Sequence, residues 1–145
     1  MNFSDLMKSF RQGSNSAKSH MKNLIELAVA DGNFDNMEYD LLKSIAKRNS
    51  ISESQLKEIR SNPSGIAFEI PKDKKERFHQ LFDLVHMMSI DTSIHPEEKK
   101  LTNFFAVKFG YPKEKAQDLI DSILANINNK QTVDETMKRV EMLTE

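Results

Sequence analysis

The chain has 145 residues, with 21 Lys and Arg against 22 Asp and Glu, and neither Cys nor Trp. This balance excludes a broad electrostatic hold on nucleic acid or anionic lipid as the main activity. The lack of Cys excludes disulfides, thiolate metal centres and a Cys nucleophile, as befits a cytoplasmic protein. The length suits one domain with one core, and the scarcity of Gly and Pro beside abundant Leu, Ile, Lys, Glu and Met favours helix throughout.

At the start, Phe3, Leu6, Met7 and Phe10 share a helical face and Gly13 follows, which predicts a short first helix with a polar connector over 13–19. This end lacks the continuous apolar run of a signal peptide. The most apolar windows further on are interrupted by Glu26, Asp83 and His86, so no membrane insertion is expected. A second helix builds through Met21, Leu24, Ile25, Leu27, Ala28 and Ala30 and should stop at Gly32.

Asp35-x-x-Glu38 has the form of a capping box and predicts a third helix from about Asn36, with Met37, Leu41, Leu42 and Ile45 buried and Asn49-Ser50 at its end. Ser52-x-x-Gln55 is a second box, opening a short helix with Leu56 and Ile59 inward. Ser61 to Gly65 breaks helix, and Ile66 to Pro71 reads as an extended or single-turn connector laying Ile66, Phe68 and Ile70 on the core. A longer helix from Asp73 carries Phe78, Leu81, Phe82, Val85 and Met88 inward, with His79 on a solvated stretch. His95-Pro96-Glu97-Glu98 is a strong helix start, with Leu101, Phe104, Phe105 and Val107 to Phe109 as the buried side and Gly110 as the stop. Pro112 should open the next helix, Asn128-Asn129 interrupt it, and Thr132-x-x-Glu135 cap a last one.

The stretches 24–45 and 84–105 align without a gap at an offset of 60: Leu24 with Leu84, Asp31 with Asp91, Phe34 with Ile94, Glu38 with Glu98, Leu41 with Leu101. The expectation is an all-α, single-domain bundle of about seven to eight helices over 1–145, with pseudo-two-fold halves near 20–60 and 80–120, an N-terminal helix and connector over 1–19, and a C-terminal helix over 130–145. Gly32 is replaced by Thr92, Asp35 by His95 and Glu26 by His86, so the first turn is the more acidic.

The Ala30-Asp31-Gly32 turn with Glu38, Leu41, Leu42, Ile45 and Ala46 after it, echoed by Asp91, Ile94, Glu98 and Leu101, resembles the tellurite-resistance TerB-like family over roughly residues 20–128. That resemblance implies a pseudo-symmetric helical bundle with an acidic surface where the two turns converge. It also implies a link to tellurite resistance or stress response, a relation to a domain of a DnaJ-like co-chaperone, and divalent-cation binding at the acidic positions. Carried over, the metal positions are Asp31, Asp35, Glu38, Asp91 and Glu98.

Read from the residues alone, Asp31, Asn33 and Asp35 open like a calcium loop, but Asn36 stands where its Gly is needed and Leu42 where its bidentate Glu is needed, so the EF-hand pattern fails. Turn and capping chemistry also accounts for Asp31, Asp35 and Glu38. The resulting expectation is a non-enzymatic adaptor that presents an acidic site to a divalent cation or a protein partner, without nucleic acid and without an organic cofactor. The alternative is a metal-dependent enzyme using His86, Asp91, His95 and Glu98, since imidazole suits zinc or nickel. Lys43, Lys47 and Arg48 form a basic helix end that the helix dipole explains.

Overall fold

The computed structural model describes residues 15–30, 36–90 and 94–145. The predicted N-terminal helix and the turn residues Asp31, Gly32, Phe34, Asp35, Asp91 and Thr92 lie outside them. Among the described residues there are seven α-helices and no strand: α1 (Asn15–Ala28), α2 (Asn36–Arg48), α3 (Glu53–Ser61), α4 (Lys74–Ser89), α5 (Pro96–Lys108), α6 (Ala116–Asn128) and α7 (Val133–Arg139). Among the described residues no helix is long and apolar enough to cross a membrane.

Helix ends obey local chemistry closely. Ser52 and Gln55 satisfy each other's backbone N–H groups at the start of α3, and Thr132 and Glu135 do the same for α7. The Asp73 carboxylate accepts the Glu76 N–H at the start of α4. Three helices end on a residue of positive φ followed by a bond to the carbonyl five residues back: Ser50 (φ 60) with Ile51 N–H to Ala46 C=O, Gly110 (φ 97) with Tyr111 N–H to Ala106 C=O, and Lys130 (φ 60) with Gln131 N–H to Asn126 C=O. These bonds answer carbonyls that the last turn leaves unpaired.

Two expectations are corrected here. α1 begins at Asn15, so most of the stretch 13–19 expected as connector is helical. Its small polar residues have tertiary partners: Ser19, wholly buried, accepts the Glu69 N–H, and Ser16 accepts from Gln80. α6 begins at Ala116 rather than at Pro112, with a turn over 113–115 between.

α1 and α4 form the centre of the bundle. α2 and α3 pack on α1 and on each other, α5 and α6 pack on α4 and on each other, and α7 lies against α4. α2 and α5 span 36–48 and 96–108, the same bounds displaced by 60. Buried positions recur at that spacing too: Met21 and Leu81, Leu24 and Leu84, Ile45 and Phe105, Ile51 and Tyr111, Ile59 and Leu119. Each such side chain contributes about 1.5–3 kcal/mol by leaving water.

The connector 66–71 is extended, as expected, and runs beside α1, where Lys22 donates to the Ile66 carbonyl. Phe68 stacks on Phe105 and Phe109 of the α5 end. Four residues expected in the core face water instead: Met37, Ile70, Phe104 and Val107 are 60%, 43%, 52% and 37% exposed. Phe104 lies edge-on to Phe105, with the Lys108 ammonium over its ring, so an amphipathic neighbour shields it in place of a helix.

Candidate functional site

Of the five acidic residues singled out from the sequence, Glu38 and Glu98 fall in the described structure, each in the first turn of its helix and each 3% exposed. A carboxylate leaves water at such depth only against hydrogen-bond donors. Glu98 Oε1 accepts the His95 N–H at 3.5 Å, the return bond of a capping box, and α5 starts at Pro96 as the sequence predicts. One turn on, buried Thr102 donates to the Glu98 carbonyl at 2.8 Å and sits 3.6 Å from Met88 Sδ, tying α5 to α4. Asp31, Asp35 and Asp91 lie outside the described residues.

Ala30, which precedes Asp31, shares a surface depression of about 300 Å³ with Glu97, Lys100, Leu101 and Phe104 from the start of α5. The chain therefore enters the first turn beside the helix that leaves the second.

The alternative set of His86, Asp91, His95 and Glu98 has three described members. Among the described residues no group of three His, Cys, Asp or Glu side chains is placed to hold a metal ion, so His86, His95 and Glu98 do not converge. His86 instead packs edge-on to Phe82, and burial lowers its pKa below the ordinary 6.5 against the opposing pull of Asp83.

The most developed polar arrangement lies elsewhere, around Asp83, which is 2% exposed on α4. His20 of α1, wholly buried, places Nε2 2.8 Å from Asp83 Oδ2, and the Arg48 guanidinium at the end of α2 bonds the same oxygen. His79, one turn back on α4, has Nε2 3.9 Å from Oδ1. Burial pushes the Asp83 carboxyl up, but the hydrogen bond and charge of His20, then Arg48 and His79, outweigh it and hold its pKa below the ordinary value. Burial of His79 has the larger say over the attraction of Asp83 and lowers its pKa, so its expected solvation is corrected to partial burial. Among the described residues, Asn23 Nδ2, Gln80 Oε1 and His20 Nδ1 are buried without hydrogen-bond partners.

Sequence reasoning passed over this cluster although a signal existed. Asp83 lies within the continuous buried run Gln80 to Val85 of α4, flanked by Leu81, Phe82, Leu84 and Val85, and a carboxylate in such a run requires buried partners. Its partners could not be paired by spacing, because they stand 63 and 35 residues away. No protein-family model, no curated protein and no solved structure matches the chain.

Proposed function

We propose that the protein is a non-enzymatic helical binding module of the TerB-like type, acting in the cytoplasm in a tellurite- or stress-related setting. Its acidic turns would present a site to a divalent cation or, through that charge, to a protein partner. The observation that carries this reading is the depression shared by Ala30 and the first turns of α5, which sets the flanks of the two turns side by side. The recurrence of helix bounds and buried positions at a spacing of 60 supports reading the two turns as equivalent halves of one duplicated unit. Asp31, Asp35 and Asp91 would supply hard oxygen donors suited to calcium, magnesium or manganese. Glu38 and Glu98, at the foot of each turn, would brace the loops that carry them.

Calorimetric titration of the protein with Ca²⁺, Mg²⁺, Mn²⁺ and Zn²⁺ tests the cation form. The expected result is saturable heat with an oxygen-preferring ion, lost in Asp31→Ala. Heat in none of the four removes the cation form and leaves the acidic turns as a surface for a protein partner.

A further inference from the structure

We propose that the cluster around Asp83 is a pH-sensitive latch that holds the end of α2 to α4 and opens when His79 and His86 take up protons. The inference does not depend on the acidic turns binding anything.

The geometry places one buried carboxylate at the meeting point of three helices. From α1 it receives His20, from α2 Arg48, and from its own helix His79, with Glu76 beyond His79 and His86 on the other side. The remaining helices packed on α4, namely α5, α6 and α7, contribute no described ionisable group to the electrostatics of Asp83, His79 or His86. With His79 and His86 neutral, Asp83 is held by Arg48 and by its hydrogen bond with His20. Burial favours that neutral state for His79 and His86.

Protonation of His79 and His86 changes the count. Several cations then surround a single carboxylate, and each repels the Arg48 guanidinium. The partners differ in what leaving costs. His20 is wholly buried and cannot reach water without moving α1, whereas the Arg48 side chain is already 44% exposed and stands on the last residue of α2. Arg48 is therefore the group that departs, and with it goes the tie between the α2 end and α4. The Ser50 turn that follows would loosen with it, since Ile51 bonds back to Ala46 within the same helix end.

Amide hydrogen exchange on the full chain tests this, followed residue by residue and corrected for intrinsic rates. Between about pH 7.5 and about pH 5.5, protection of Ile45 to Arg48 should fall ~10-fold while that of Leu119 to Ile123 in α6 holds. The double variant His79→Gln, His86→Gln should lose the response. Three results would overturn the latch: α2 amides indifferent to pH, loss of protection shared equally by α6, or a response that survives in the double variant. Should that variant fail to fold, imidazole chemical shifts of the unsubstituted protein decide the matter. Titration midpoints of His79 or His86 coinciding with the opening of α2 support the latch, and midpoints away from it reject it.

Discussion

Asp83 shows how a single side chain can tie distant stretches of sequence together. Its pair with His20 is almost sealed, while Arg48 remains partly in water, so the two contacts differ in weight. Removing one partner of a buried pair strands the other, and Asp83→Asn should cost about 2–3 kcal/mol, at or below the lower end of the usual range because Arg48 can rehydrate. Urea unfolding should record this as a lower midpoint at unchanged slope. Arg48→Gln, which leaves the His20 bond in place, should cost less than Asp83→Asn in the same assay. Were Arg48→Gln the costlier, the guanidinium rather than the imidazole would be the principal partner.

At the scale of helices, the three positive-φ ends invite a comparison that isolates backbone conformation from packing. A Cβ added at Gly110 would meet nothing within 4 Å, so Gly110→Ala pays only for the left-handed backbone, about 1–2 kcal/mol. Ser50 bears that strain already, and Ser50→Gly should stabilise by roughly 0.5–1 kcal/mol, both readable as shifts in the midpoint of urea unfolding. Helices were the most legible level of the sequence because their signals are local. Ser52 with Gln55, Asp73, His95-Pro96 and Thr132 with Glu135 each marks a start within a few residues, and a cap needs no distant partner. The α1 start was misplaced for the opposite reason. Ser16 and Ser19 read as linker until Gln80 and Glu69, far along the chain, give their hydroxyls something to bond. Likewise Phe104 satisfies the helical period yet faces water, since periodicity says which residues share a face but not whether a neighbour covers it. Of the candidate site, the positions of Glu38 and Glu98 were readable as first-turn residues, but their depth was not, because burial depends on helices the turn itself does not contain.

Across the molecule, the ionisable groups set a pH range for the fold. A histidine whose folded pKa is depressed binds protons more readily once unfolded, so His79 and His86 contribute stability that is present above pH 6.5 and lost as pH falls through it. Asp83, also depressed, adds a loss as pH falls below its ordinary 3.8. Thermal unfolding should therefore show a melting temperature that declines from neutral pH downward in two stages, the first suppressed in the His79→Gln, His86→Gln variant. On the alkaline side the burial of Tyr111, set against its contact with Arg77, pushes the phenol up to about 12. The chain has two tyrosines and no tryptophan, so its near-ultraviolet spectrum is a tyrosine spectrum. In a buffer between the ordinary phenol value of 10.0 and 12, Tyr111 stays colourless in the near ultraviolet's phenolate band while folded and ionises on release. The protein thus carries a built-in optical dye for the opening of its own α5 end, readable in a stopped-flow cell without any label.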